Sequence, residues 1–446
     1  MESLRGMTRR SFIQSASAFA AGGVLLPERL FGRSDPLKRL RVAVVGTGHR
    51  GSRMWGKDVV KDYNDVVEFV GLCDANPGRV EYVRKFMGAG CPPFTDFDTM
   101  IRQTSPDVVI VTTVDGTHHT YITRAMELGC DVITEKPLTT DETKLKTILD
   151  AYRKYRKAII VAFNYRYTPH RAKIKELLMQ ERIGRVTSVD FHWYLDVYHG
   201  ADYFRRWHRL RAAGGSLLVH KATHHFDLLN WWIGSEPVVV HAFGELEFYG
   251  RNNSFRHTHC RPCPHKKRCK FFFDLTKDSH LMSLYAAQEQ HDGYLRDGCV
   301  WRQDIDIFDK MAVQIKYANK VQVSYSLTTY SPYEGYRIAF NGTKGRLETW
   351  VHERQPWPSD PFDEIRITDN FGKTELLRVP QVEGGHGGGD GLLKERIFRN
   401  PGDADPLHQA AGLREGALSI LVGIGARNSI DSGSPVRIAN LANLDL

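Results

Sequence analysis

Arg41-Val-Ala-Val-Val-Gly-Thr-Gly-His-Arg-Gly51 decides the fold. Val42 to Val45 form a short apolar run, the signature of a strand buried on both faces. The run passes straight into Gly46-x-Gly48-x-x-Gly51. Gly46 permits a tight turn, Gly48 lets a pyrophosphate approach the backbone, and Gly51 lets the next helix pack closely on the strand. His49 and Arg50 open that helix, whose free N–H groups and partial positive charge face the phosphates. A second apolar run, Val66 to Cys73, ends in Asp74, where a ribose-binding carboxylate belongs. A carboxylate there repels a 2′-phosphate, so the pattern predicts NAD over NADP, with Arg79 close enough to soften the preference. The alternative is that Asp74 only caps the turn over 75–78.

Outward from this unit, strands alternate with helices. Asp107 to Thr113, Asp131 to Thr134 and Ala158 to Phe163 read as strands, with helices over 120–129 and 140–156 between them. That alternation specifies a parallel, doubly wound sheet, an NAD-binding Rossmann domain over 40–163. Ligands of such sheets lie beyond the carboxyl ends of the strands, where His118, Lys136 and Asn164 sit. After Gly234 the pattern predicts an open, mainly antiparallel sheet over 238–248, 311–317, 320–329, 335–341 and 346–350. The fold class is therefore α/β, a Rossmann domain followed by an α+β substrate and oligomerisation domain over 164–406. A C-terminal helix and tail, 407–446, are expected to pack back on the Rossmann domain.

The net charge of +9 is modest for 446 residues, and basic side chains are interleaved with acidic ones, so no nucleic-acid surface is read. No run is long enough to span a membrane. Residues 1–30 read as a targeting segment. Thr8-Arg9-Arg10-Ser11-Phe12-Ile13 fits a twin-arginine signal, followed by a small-residue apolar stretch from Ala16 to Leu26. That route exports folded protein with cofactor loaded, and predicts a periplasmic or envelope location and tightly held NAD.

Further motifs carry a family resemblance: Thr113-Val-Asp-Gly-Thr-His118, Glu135-Lys136-Pro137 after a strand, Asn164-Tyr-Arg-Tyr-x-Pro169, Gly214-Gly215 through His224-x-x-Asp227, and Asn341-Gly-Thr-Lys-Gly345. With the glycine fingerprint, they make the chain similar, over nearly all of 40–445, to the glucose–fructose oxidoreductase / inositol dehydrogenase / MocA oxidoreductases. The resemblance implies a lysine, Lys136, beside the nicotinamide. It also implies cofactor contacts from Thr113, His118, Glu135 and Asn164, and substrate contacts from Tyr165 and Arg166. A desolvated lysine can titrate near neutrality and act on a hydroxyl proton, which hydride transfer from a carbinol carbon requires.

His220, His224 and Asp227 follow at i, i+4 and i+7, on one face of a helix expected from about 217. In the resembling dehydrogenases an aspartate stands at the position of His220. His224 and Asp227 match; His220 departs, and cannot supply the permanent negative charge that orients a cationic lysine. A neutral imidazole there can act as acid or base. His225 faces away from the other two. Arg206 and Trp207, in a polar-aromatic loop over 202–208, suit a sugar ring, or equally a packing loop. His386, in Gly384-Gly-His-Gly-Gly-Gly-Asp390, sits in a turn resembling one in the family.

Of seven cysteines, Cys260, Cys263, Cys269 and Cys299 cluster within an insertion over 257–299. Their spacing suits a structural zinc, and an oxidising compartment would suit two disulfides instead. The expected function is NAD-dependent oxidation or reduction of a secondary alcohol on a sugar, glycoside or polyol. The alternatives are a redox-neutral glycoside hydrolase that oxidises C3 transiently, and a non-catalytic nucleotide-binding scaffold. Partners are expected to be a small carbohydrate and further copies of the chain, joined through the C-terminal sheet.

Overall fold

The computed structural model describes residues 38–446, so the expected targeting segment over 1–30 lies outside the described residues. The first sheet has six strands in the order β3-β2-β1-β4-β5-β6, all parallel where they pair. They are β1 (Leu40–Val45), β2 (Val67–Cys73), β3 (Pro93–Phe94), β4 (Val108–Val111), β5 (Asp131–Thr134) and β6 (Ile159–Val161). The order reverses at β1/β4, the position at which doubly wound sheets bind ligands. Val42, Val44, Val108 and Ile110 are wholly buried, as a strand covered by helices on both faces requires. Two of the fingerprint glycines are forced by contact. A Cβ on Gly46, whose φ is +90°, would lie 2.6 Å from the Thr112 carbonyl carbon, and one on Gly51 would lie 2.2 Å from the Gly46 oxygen.

The second sheet has nine strands in the order β14-β13-β12-β11-β7-β10-β9-β8-β15. They are β7 (Val186–Asp196), β8 (Pro237–Glu245), β9 (Lys310–Tyr317), β10 (Gln322–Ser331), β11 (Glu334–Gly342), β12 (Gly345–Arg354), β13 (Phe362–Asp369), β14 (Thr374–Pro380) and β15 (Val436–Arg437). Its ladders are antiparallel except β7 with β10, which run parallel from Ser188↔Gln322 to Tyr194↔Thr328. Strict alternation in β9 and β10 buries Met311, Val313, Ile315, Val323, Tyr325 and Leu327 and turns the intervening residues outward. The hairpin β13–β14 extends the sheet beyond the strands expected from sequence, because its outer residues are mostly exposed and give a weak apolar signal.

Helix Leu413–Ser432 and the tail touch the Rossmann domain, through Arg427 on the Thr140 carbonyl and Arg153 on the carbonyls of Asn443 and Asp445, but most of the helix lies elsewhere. It packs chiefly along β8 and helix Ala222–Ile233, and only its first turns reach β6. Gly423 permits the approach: a Cβ there would lie 2.3 Å from the Leu218 carbonyl oxygen. The insertion after β8 is almost free of strands. Its segment from Ser279 to Asp292 lies against the Rossmann domain, where Leu284 is wholly buried in a cluster with Val42, Val44, Leu72, Val80 and Val83.

Candidate active site

The loops at the carboxyl ends of β1, β2, β4, β5 and β6 come together and are tied by side-chain hydrogen bonds. At β1, helix His49–Ser52 begins directly after Gly48, which has no side chain to cap it. At β2, Asp74 is buried. One of its oxygens accepts from the Thr47 N–H at 2.7 Å and hydroxyl at 2.9 Å, the other from the Asn76 N–H at 2.9 Å. Arg79 closes on the same carboxylate at 3.2 Å. The capping alternative is thus partly realised, since Asp74 organises its own turn. It also keeps a carboxylate at the ribose position, with the open backbone of Gly48 beside it, so the residues fit a dinucleotide.

Arg50 ties the fingerprint to the rest of the site. Its Nε donates to Glu135 at 2.7 Å and its Nη1 to Asp390 at 3.1 Å. Glu135 also accepts from the Trp55 indole at 2.9 Å, and Asp390 from the Asn164 amide at 2.6 Å. His386 completes this group through Asp390 at 3.0 Å. Thr113 pairs with the Thr117 hydroxyl at 2.9 Å. His118 is buried, with its ring nitrogens 2.8 Å from the Pro137 carbonyl and 3.1 Å from that of Thr113. It therefore ties two cofactor-side loops together, rather than offering a ring nitrogen to the nucleotide. The Lys136–Pro137 peptide is cis.

Lys136 projects from the end of β5, and its Nζ donates to the His220 carbonyl at 3.2 Å. Burial lowers its pKa to about 8, against the pull of Asp115 and Glu135. Asp115, from the loop after β4, lies 2.5 Å from His220 Nδ1. Burial and the neighbouring Lys136, Arg206 and Lys221 hold the His220 imidazole neutral. Asp115 was not singled out from the sequence, although the loop that carries it was. The available signal was the missing negative charge at position 220, which another strand end had to provide. The helix carrying these residues is broken: Leu217–His220 stops at Lys221, and Ala222–Ile233 starts anew.

His224 is buried with its Nδ1 unpartnered among the described residues, and stacks on Tyr165 with centroids 4.3 Å apart. Burial beside Lys136 and Lys221 keeps it neutral. Tyr165 accepts from the Lys221 ammonium at 3.1 Å. Arg206 binds Asp202 at 2.9 Å, and Trp207 stacks on His208, which itself lies 4.1 Å from the His220 ring. Arg206, Trp207 and His208 thus flank the Asp115–His220 pair.

Two expectations are corrected. Asp227, expected as a catalytic residue with His220 and His224, is not free to move a proton in a relay with them, because both its oxygens are taken by Arg166, at 2.8 and 2.6 Å. Arg166 is equally unavailable to substrate: it is buried, and its remaining donor reaches the carbonyls of His408 and Ala410. The pair is a structural bridge to the C-terminal segment. Burial still raises Asp227 to about 6, against the pull of Arg166. The four-cysteine metal site is the second. Cys260, Cys263, Cys269 and Cys299 line one small cavity, and all are free thiols. Arg205 donates to Cys260 at 3.3 Å and the Trp301 N–H to Cys299 at 3.4 Å. No three His, Cys, Asp or Glu side chains among the described residues stand where they could hold a metal ion. His225 is turned into the core, as expected, on Trp193 and the Tyr325 hydroxyl.

Two family models match the chain: "Oxidoreductase family, NAD-binding Rossmann fold" over residues 40–163 and "Oxidoreductase family, C-terminal alpha/beta domain" over 175–438. The second takes in the helix after 407, in line with its packing on β8. A Bacillus subtilis (strain 168) protein named oxidoreductase YteT is 39% identical over 90% of this chain and 98% of its own length. An inositol 2-dehydrogenase of Rhizobium meliloti (strain 1021) is 27% identical over 46% of this chain and 58% of its own. Among solved structures, a levoglucosan dehydrogenase in complex with NADH and levoglucosan superposes with a TM-score of 0.65 at 20% identity, covering 90% of this chain and all of that one. The two sheets, the strand-end site and these matches together place the chain in the Gfo/Idh/MocA oxidoreductase family, as an NAD-binding oxidoreductase.

Proposed function

We propose that the protein oxidises or reduces a secondary alcohol of a sugar, glycoside or related polyol, with NAD held tightly in the strand-end site. The observation that carries the reading is Lys136. It is a lysine brought to a pKa of about 8 by burial, fixed by the His220 carbonyl and standing beside the Asp115–His220 pair. The relatives named for inositol and levoglucosan support a polyhydroxylated substrate.

The residues divide the work as follows. Bound NAD supplies the hydride acceptor. Lys136 Nζ, in its neutral form, takes the proton of the substrate hydroxyl. Asp115 stabilises the ammonium that forms. His224, neutral and unpartnered at Nδ1, offers a second polar contact to the alcohol oxygen. Trp207, backed by the buried His208, presents an aromatic surface to the C–H face of a ring.

A second reading is favoured by the Asp115–His220 pair, which sets a second acid–base group, the His220 ring, beside Lys136. In redox-neutral glycoside cleavage, Lys136 serves the C3 oxidation and its reversal. His220 takes the proton at C2 as the C1–O bond to the aglycone breaks, and water then adds at C1. The test mixes the protein as isolated with a panel of free polyols and chromogenic glycosides, following NADH absorbance and aglycone release together. NADH accumulation that Lys136→Ala abolishes is the expected result. Aglycone release without NADH build-up would replace it with the second reading. A Lys136→Ala protein of full activity would overturn both. In oxidation, kcat/KM should rise with pH through about 8, because the base is the deprotonated lysine.

Two further expectations belong to this reading. The chain is exported folded, with its nucleotide aboard, to the periplasm or envelope. Two copies join through the open face of the nine-stranded sheet, where Trp350, Trp357 and Leu376 are exposed. Fractionation and light scattering, respectively, test these.

A further inference from the structure

We propose that residues 279–294 of the insertion form a clasp over the adenosine and pyrophosphate end of the nucleotide site. The clasp retains the dinucleotide between turnovers and selects a ribose 2′-hydroxyl against a 2′-phosphate. The inference rests on the NAD reading above, and adds residues from outside the Rossmann domain to the cofactor site.

The segment touches both halves of the nucleotide fingerprint. The His49 N–H, at the start of the glycine-rich helix, donates to the Tyr285 hydroxyl at 2.9 Å. That N–H is one of the groups such a helix offers to phosphate. On the ribose side, the Asn76 amide donates to the Gln288 carbonyl at 3.0 Å, and Arg79 Nη2 pairs with Asp292 at 2.7 Å. Gly78 lies so close that a Cβ there would fall 1.8 Å from Gln288 Oε1. Along the helix Pro77–Met87 that starts there, Phe86 meets the His280 ring at 4.4 Å, tilted by 35°, and the Tyr82 hydroxyl pairs with His280 at 3.0 Å. Leu284 anchors the middle of the segment in the Rossmann core.

The charges suit a dinucleotide phosphate. Arg296, just past the clasp, is 8% exposed, and its Nη1 has no hydrogen-bond partner among the described residues. Its Nη2 holds Asp202 at 2.8 Å. Burial, with Arg206, Arg53 and Arg296 adding to it, lowers His49 to about 4. Guanidinium groups thus gather where the glycine-rich turn presents its backbone, and one of them carries an uncommitted N–H.

Selectivity follows from Arg79. Its two terminal nitrogens are bound by Asp74 on one side and Asp292 on the other. An arginine beside the ribose could recruit a 2′-phosphate; this one is neutralised twice, and the phosphate would meet two carboxylates. The clasp is itself braced. Arg261 holds Asp297 at 2.9 Å through its N–H and also binds Glu289, and the Cys260 N–H donates to the Asp297 carbonyl at 2.8 Å. Release of the adenosine end requires this set to part, so exchange is slower than in an open cleft.

The test uses the full-length protein loaded with NAD, without sugar substrate. Bound nucleotide is measured after gel filtration, and exchange is followed with fluorescent etheno-NAD. The wild type should keep its NAD through filtration. Tyr285→Ala and Asp292→Ala should exchange at least about tenfold faster, and Asp292→Ala should raise the affinity for NADP relative to NAD by about tenfold, a difference of about 1.4 kcal/mol. Asp292→Asn, which keeps shape and removes only the charge, reads the same ratio if the alanine variant folds poorly. Wild-type exchange within the mixing time, or variants with unchanged exchange and preference, would overturn the clasp. A protein that retains NAD but turns over no alcohol or glycoside sinks only the proposed function. One that turns over substrate while exchanging NAD freely sinks only the clasp.

Discussion

Lys136 illustrates how one residue's chemistry depends on charges delivered by other elements. Burial pushes it toward the neutral amine, and Asp115 pulls it back toward the ammonium. Asp115 in turn is buried against His220, and burial raises its carboxyl well above the ordinary range while Lys136 and Arg206 pull it back toward the charged form that orients the ring and faces the lysine. Asp115→Asn keeps the shape and removes the charge. It should lower kcat by about 10²-fold or more, with a smaller change in KM, and move the pH profile of oxidation to lower pH. Steady-state kinetics across pH 6–10 would check this, and an unchanged profile would deny Asp115 its role beside Lys136. Asp227 makes the opposite case. Removing one member of a buried ion pair leaves the other charged and unpaired, so Asp227→Ala should cost about 3–5 kcal/mol of stability, read by denaturant unfolding. Full stability with lost turnover would return Asp227 to the proton relay.

At the scale of elements, the insertion bears most on the site. It is rich in charge and poor in strands, so it has no sheet to stabilise it. It is held by Leu284 in the Rossmann core, by Phe248, Phe271 and Trp301 packed on Tyr249, and by the buried Asp297. The cysteines contribute small buried side chains and sulfur acceptors to that packing. Treatment with a strong chelator should therefore leave the melting temperature unchanged within about 2 °C, since no three potential ligands among the described residues stand where they could hold an ion. A larger fall, with one equivalent of zinc released, would reinstate the four cysteines as ligands. The sheet elements were legible where alternation is strict, as in β9 and β10. The hairpin β13–β14 was not, because it buries little.

Over the whole molecule, four buried histidines bear on stability, His208 and His224 near Lys136 and His170 and His225 against the nine-stranded sheet. Burial lowers His170 to about 3 and takes His208, His224 and His225 well below their ordinary value. The unfolded chain protonates these rings below about pH 6.5, and the folded chain does not. Their stabilising contribution is complete above pH 6.5 and is lost as the pH falls toward the folded values. Each adds a slope of up to about 1.4 kcal/mol per pH unit below pH 6.5, so unfolding free energy should drop by about 5–6 kcal/mol between pH 7.5 and 5.5. Denaturant titration at the two pH values would check it. A flat response would mean that these rings are already protonated in the folded protein.

By itself the sequence determined the Rossmann unit, because its signals are local. An apolar run, three spaced glycines and a strand-terminal acid each act within a few residues of one another. The lysine after β5 was legible for the same reason. Only the tertiary structure decided which charge faces that lysine, since Asp115 and His220 are 105 residues apart and meet only when two strand ends and a broken helix converge. It likewise decided that Arg166 and Asp227 neutralise each other, and that a segment more than 200 residues beyond the fingerprint lies across it. Helical spacing places His220, His224 and Asp227 on one face, but spacing carries no information about what that face meets. The partner of a buried charge is chosen by packing, because burial without a partner is too costly to persist.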